Sequence, residues 1–240
     1  MAFSTLYASR IRISDDIPKD RYYASLPMIK AFQGEGLDLT KRVTFFIGEN
    51  GIGKSTLIEA IAIALGFNPE GGTRNFDFST SASHSDLFEY MTVSKGINAP
   101  RDGFFLRAES FYNAASYIDD LGISQFYGGK SLHKQSHGES FMALVENRFG
   151  GHGIYIMDEP EAALSPMRLL TLMAYMHELE NSESQFIIST HSPILMAYPG
   201  AEVFSMTENG IESVPYYETE HFQVTKNFVD NPDRTFKYLF

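Results

Sequence analysis

The chain has 240 residues, 43% of them hydrophobic and 20% charged, which is near the average for globular domains and unlike a disordered chain. It contains no cysteine, so disulfides, thiolate zinc sites, iron–sulfur clusters and cysteine nucleophiles are excluded. A net charge of −11 argues against broad binding to DNA or to anionic membranes, while a local basic patch for nucleic acid stays open.

No apolar run reaches the ~18 residues that would span a bilayer. The amino terminus, from Met1 to Arg10, lacks the basic start and apolar stretch of a secretory signal. The expectation is one cytoplasmic domain over 1–240 with no direct membrane insertion. Three nearly continuous apolar runs read as strands buried on both faces: Val43–Ile47, Gly153–Met157 and Gln185–Ser189. The first leads into a helical pattern over Thr56–Leu65, with Leu57, Ile58, Ile61 and Leu65 on one face. Asn68–Asp86 is rich in Gly, Ser, Thr and Asn and reads as an exposed loop. Residues 109–150 are helical in patches and read as a helical subdomain inserted into the same sheet. After the second strand, Pro166–Leu179 carries a broad apolar stripe. From Glu218 to Phe240 the pattern predicts a helix, a break at Asn231-Pro232, and a short apolar tail that packs on the domain. Strands alternating with helices give an α/β class with a mainly parallel central sheet, whose functional loops lie at the strands' carboxyl ends.

The segment Gly48-Glu49-Asn50-Gly51-Ile52-Gly53-Lys54-Ser55-Thr56 fits the phosphate-loop pattern G-x-x-x-x-G-K-[ST] between a strand and a helix. Glycines let successive N–H groups face one anion, and the helix amino terminus adds its positive end. Lys54 can reach the β- and γ-phosphates of a nucleoside triphosphate, and the Ser55 hydroxyl can ligate magnesium. The second strand ends in Asp158 and Glu159, adjacent carboxylates that point to opposite faces and so take different roles. Asp158 suits a magnesium ligand and Glu159 the general base that orients the attacking water. The third strand ends at Ser189-Thr190-His191, where His191 can donate a hydrogen bond to the γ-phosphate or the water.

With these three pieces in this order, the chain resembles the ATP-binding-cassette (ABC) ATPases. More closely it is similar to soluble, non-transporter, compact ATPases of the AAA/ABC type. The family signature, near L-S-G-G-Q, is matched by Gln135-Ser136-His137-Gly138-Glu139-Ser140, with His137 in place of a glycine and Glu139 in place of glutamine. The resemblance implies that Ser136, Gly138 and the helix start at Glu139 bind the γ-phosphate of ATP held by another subunit, in an ATP-dependent homodimer. It places Glu109 where the family usually has a metal-sensing glutamine. Leu164-Ser165-Pro166, matching a dimer-contact loop, lacks its usual aspartate. The segment between Lys54 and Ser136 has no heptads, and at about 1.5 Å per residue cannot supply the long coiled coil of chromosome-organising relatives. The function implied is an ATP-hydrolysing dimer switch acting on an unknown protein partner, with repair or defence as settings. The alternatives are the nucleotide-binding subunit of a membrane transporter and a non-catalytic ATP-binding scaffold.

Overall fold

The computed structural model describes residues 4–74, 85–108, 116, 133 and 135–240. In chain order the strands are β1 (Arg10–Ile13), β2 (Leu37–Asp38), β3 (Val43–Gly48), β4 (Met91–Ser94), β5 (Asp102–Arg107), β6 (Gly153–Asp158), β7 (Gln185–Ser189), β8 (Glu202–Thr207) and β9 (Gly210–Ser213). The helices are α1 (Ile29–Phe32), α2 (Lys54–Ala64), α3 (His137–Arg148), α4 (Pro166–Asn181), α5 (Pro193–Met196), α6 (Glu220–Asp230) and α7 (Pro232–Leu239).

The central sheet runs β5-β6-β7-β3-β8-β9, parallel from β5 to β8, with β9 antiparallel at the edge. Its three middle strands are buried along their whole length, which is why they read as continuous apolar runs. Successive side chains alternate between two cores. Phe45, Tyr155 and Phe186 face Leu144 of α3 and Leu172 and Met176 of α4. Phe46, Ile156 and Ile187 face Leu57 and Ile61 of α2 together with Ile11 and Ile13 of β1. The P-loop arrangement of a mostly parallel sheet between helices is therefore as expected.

Differences from the expected elements have local causes. β3 and β6 each run one residue further than their apolar stretch, into Gly48 and Asp158, so the sheet itself holds two site residues. α2 starts at Lys54 rather than Thr56, directly after Gly53. The antiparallel sheet β2-β1-β4 and the edge strand β9 escaped the sequence patterns because they are short and partly exposed, while β8 breaks its buried apolar residues with Ser205. Of the expected helical subdomain, α3 is described; Glu109 lies outside the described residues, as do 75–84 of the expected loop.

The carboxyl end corrects the expectation of a packed apolar tail. Residues 232–239 form a second helix, and neither α6 nor α7 contributes a buried residue. Pro232 opens α7 and the Asn231 side chain accepts from Arg234 N at 3.0 Å, a helix start rather than a simple break. The aromatic rings meet one another instead of the sheet: Phe228 lies 5.9 Å from Phe236, which lies 5.7 Å from Phe240. Among the described residues, no helix is long and apolar enough to cross a membrane.

Candidate active site

β3 delivers Gly48 to the centre of the sheet edge, and the chain turns through Glu49, Asn50, Gly51, Ile52 and Gly53 into α2. Gly48 has φ 150°, and a Cβ there would lie 2.4 Å from the Met206 carbonyl oxygen of β8, so a side chain is excluded. Lys54, Ser55 and Thr56 make the first turn of α2, the positive end of its dipole. Lys54 is buried, and its Nζ donates to the carbonyls of Gly48 and Glu49 at 2.9 Å each. Burial lowers its pKa from the ordinary lysine value, while the carboxylates of Glu159, Asp158 and Glu161 push the other way.

The parallel register brings Asp158 beside Ser189. Asp158 Oδ1 accepts from Ser189 Oγ at 2.5 Å and from Ser55 Oγ at 3.2 Å, and Arg107 Nε stands 3.7 Å from Oδ2. Burial raises the Asp158 pKa, opposed by the Ser189 bond, the Arg107 charge and the Ser55 bond. Ser55 and Asp158 are thus adjacent hard oxygen donors, a pair that suits magnesium, which takes one or two protein oxygens and shares the rest of its shell with phosphate and water. Glu159 has φ 50°, a left-handed conformation rare outside glycine. Its N–H donates to Ser189 O at 3.1 Å and Oγ at 3.2 Å, so β7 holds the strained residue in place.

His191 follows β7 and its N–H donates to Glu161 Oε1 at 2.5 Å. Its Nε2 lies 3.4 Å from Glu159 Oε1, and its Nδ1 lies 3.3 Å from Nε2 of His221, in the first turn of α6. Burial, then Lys54 and His221, push the His191 pKa down to about 4, so the ring is neutral at pH 7. The structure therefore brings the phosphate loop, Asp158, Glu159 and His191 to one place.

Several neighbours were not legible in the sequence. Tyr22 is 63% exposed and lines a cavity with Asn50, Gly51, Gly53, Lys54, Ser55, Thr56 and Glu159. Arg107 ties Asp158 to Glu59 of α2, with 2.5 Å between Arg107 Nη1 and Glu59 Oε2. A lone carboxylate amid the apolar residues of α2 was the one available signal for Glu59. His221 gave none, being separated from His191 by β8 and β9.

At the signature, Ser136 is the residue that caps the amino end of α3. Glu139 turns back along the helix, its Oε2 accepting from Ser136 N at 3.0 Å and Oγ at 2.7 Å, with Arg168 Nη2 3.5 Å from Oε1. Gly138 makes a close approach to α4 and the preceding turn: a Cβ would lie 2.3 Å from Arg168 Nη1 and 2.9 Å from the Ala163 carbonyl oxygen. His137 lines a cavity with Ser55, Ala108, Asp158, Glu159 and Ala162, so the start of α3 borders the site of its own chain.

Comparisons with known proteins agree with this geometry. The ribose import ATP-binding protein RbsA of Roseobacter denitrificans is 27% identical over 209 residues, covering 76% of this chain and 40% of that protein. A protein of Geobacter sulfurreducens described as "Putative ABC transporter ATP-binding protein GSU3001" is 25% identical over 171 residues, covering 61% of this chain and 58% of that one. The chain thus spans about half the length of these curated relatives. Among solved structures, the SmcHead bound to the C-winged helix domain of ScpA superposes with a TM-score of 0.50 at 14% identity, over 87% of this chain and 97% of that one, a likeness of fold. A family model described as "AAA domain" matches residues 26–98, and one described as "AAA domain, putative AbiEii toxin, Type IV TA system" matches 137–197. The first takes in the whole phosphate loop and the second Gly138, Glu139, Asp158, Glu159 and His191, so both parts of the site are similar to ATPase domains of the AAA type.

Proposed function

We propose that the chain binds ATP with magnesium at this edge of the sheet, hydrolyses it to ADP and phosphate, and works in the cytoplasm as a nucleotide-driven dimer switch on a protein partner. The observation that carries the reading is Glu159 and His191, 3.4 Å apart, beside a lysine that bonds its own loop. Lys54 Nζ exchanges the Gly48 and Glu49 carbonyls for phosphate oxygens, which carry full charge and bond more strongly. Ser55 and Asp158 would hold magnesium, which supplies charge neutralisation across the phosphates. Glu159, partly exposed, takes a proton from the attacking water as its oxygen bonds to the γ-phosphorus and the bond to the β-phosphate oxygen breaks. His191, neutral, offers a hydrogen bond rather than a second positive charge.

The finer reading has Ser136, Gly138 and the amino terminus of α3 meeting the ATP of a second copy in a two-fold dimer. A defence setting is supported by the second family model's description, which mentions a toxin of a type IV system. The names of the curated relatives favour a second reading, a transporter's nucleotide-binding subunit, which would need membrane-spanning partners. The test is Glu159→Gln, which keeps shape and hydrogen bonding but not the base. Phosphate release should fall by about 10²–10⁴-fold. ATP affinity should hold, and sedimentation should show ATP converting monomer to dimer. Phosphate release equal to wild type would refute Glu159 as the base.

A further inference from the structure

α6 lines a cavity with Glu49, Asn50 and His191 through Glu220, His221, Val224 and Thr225, and His221 is in contact with His191. Thr219 caps the helix, its Oγ1 accepting from Phe222 N at 3.3 Å, and the first turn sets the His221 ring against His191 with centroids 5.5 Å apart. Glu159, His191 and His221 then form a continuous chain of contacts, 3.4 Å from Glu159 Oε1 to His191 Nε2 and 3.3 Å from His191 Nδ1 to His221 Nε2. The outer nitrogens of the pair, His191 Nε2 and His221 Nδ1, are buried without a hydrogen-bond partner.

Both rings have their pKa lowered, chiefly by burial, so both are neutral at pH 7. Two neutral imidazoles share one hydrogen bond in two ways. If His191 Nδ1 donates, its Nε2 presents a bare lone pair to the Glu159 carboxylate, acceptor against acceptor. If His221 Nε2 donates, His191 Nδ1 accepts, and His191 Nε2 carries the hydrogen toward Glu159. The second arrangement is the favourable one.

We propose that His221 is a positioning residue for ATP hydrolysis: it donates to His191 Nδ1 and so fixes His191 as the tautomer whose Nε2–H points at Glu159 and the γ-phosphate. The inference rests on the ATPase reading for its consequence, and on the Glu159–His191–His221 geometry for its substance. A group at the amino end of a surface helix, remote in sequence, thereby sets which nitrogen of the site histidine is the donor.

Imidazole nitrogen chemical shifts of the full chain without nucleotide test the pairing, with the His191 signals assigned by their loss in His191→Ala. His191 should carry its hydrogen on Nε2, and His221→Phe should shift it toward a mixture of tautomers. A wild-type His191 protonated on Nδ1 overturns the proposal. Turnover provides the second arm. His221→Phe keeps a ring without a donor, and kcat should fall by about tenfold, the worth of one neutral hydrogen bond, with KM for ATP little changed. His221→Gln places an amide donor near the Nε2 position and should recover most of that loss. An unchanged kcat in His221→Phe, or equal losses in both variants, also overturns it. Should wild type release no phosphate from ATP, the ATPase reading fails while the nitrogen shifts still decide the pairing.

Discussion

Two aspartates on neighbouring strands, one half-buried and one buried, should respond in opposite directions when their charge is removed. Asp102 opens β5, and its side chain is 17% exposed. It accepts from Arg148 Nη1 at 2.6 Å, Tyr155 Oη at 2.8 Å and Gly150 N at 3.0 Å. Burial pushes its pKa up, but the Gly150, Tyr155 and Arg148 donors together outweigh burial and hold it below the usual value. Asp158 ends β6 at 5% exposure with two hydroxyls and a guanidinium 3.7 Å away, and there burial wins. The fold therefore favours the charge on Asp102 and disfavours it on Asp158. Asp102→Asn should cost about 1.5–3 kcal/mol, the worth of hydrogen bonds to a charged group. Asp158→Asn should stabilise the nucleotide-free chain by about 1 kcal/mol, as relieving a functional site commonly does. For a protein of this size each ~1 kcal/mol moves the melting point by about 2–4 °C, so calorimetry at pH 7 should find Asp102→Asn lower by about 3–12 °C and Asp158→Asn higher by about 2–4 °C. Because the Asp102 pKa is depressed on folding, its contribution is present above the unfolded value and lost as pH falls through the folded one, so the Asp102→Asn deficit should shrink in acid. An Asp158→Asn chain that melts below wild type would refute the claim that burial dominates at that position.

Two further outcomes follow from the geometry around the loop. Tyr22→Ala removes an exposed ring beside Asn50 and Gly51; if that ring stacks on adenine, KM for ATP should rise about tenfold with kcat little changed, base stacking being worth about 1–3 kcal/mol, and an unchanged KM in steady-state kinetics would exclude the contact. In the proposed dimer, Lys54→Ala and Ser136→Arg chains, each inactive alone, should regain part of the turnover when mixed, because one composite site pairs an intact loop with an intact signature. No recovery, with monomers throughout by sedimentation, would remove the dimer.

What the sequence shows depends on how burial writes itself into residue type. β3, β6 and β7 are buried on both faces, so their apolar runs stand out and their ends locate Gly48, Asp158 and His191 within a residue or two. β1 buries Ile11 and Ile13 while Arg12 is exposed, a four-residue alternation too short to rise above background. The phosphate loop is legible because its chemistry is local, one run of backbone donors and one lysine. The Glu159–His191–His221 chain is not, because the last contact depends on how β8, β9 and a surface turn return the chain to the site. The carboxyl helices misled for a related reason: Phe228, Phe236 and Phe240 look like a packed face, yet they meet one another, Phe228 edge-on to Phe236 and Phe236 stacked on Phe240.

The departure at position 139 has a physical consequence for the proposed dimer. A helix amino terminus binds an anion through its free N–H groups, its capping hydroxyl and its dipole. In α3 the cap's own donors are already taken by the chain's Glu139, whose carboxylate accepts from both Ser136 N and Ser136 Oγ, with Arg168 3.5 Å away on the other oxygen. The carboxylate therefore points back along the helix. A γ-phosphate from a second copy must displace it from the Ser136 hydroxyl before it can use that donor. Losing such a cap costs about 0.5–2 kcal/mol, equivalent to about 2- to 30-fold in affinity. The phosphate can meet that cost because it carries more charge and more acceptor oxygens than the carboxylate it replaces. An uncharged partner surface brings neither, so in the proposed dimer the same cap that satisfies α3 in the single chain would make association depend on ATP.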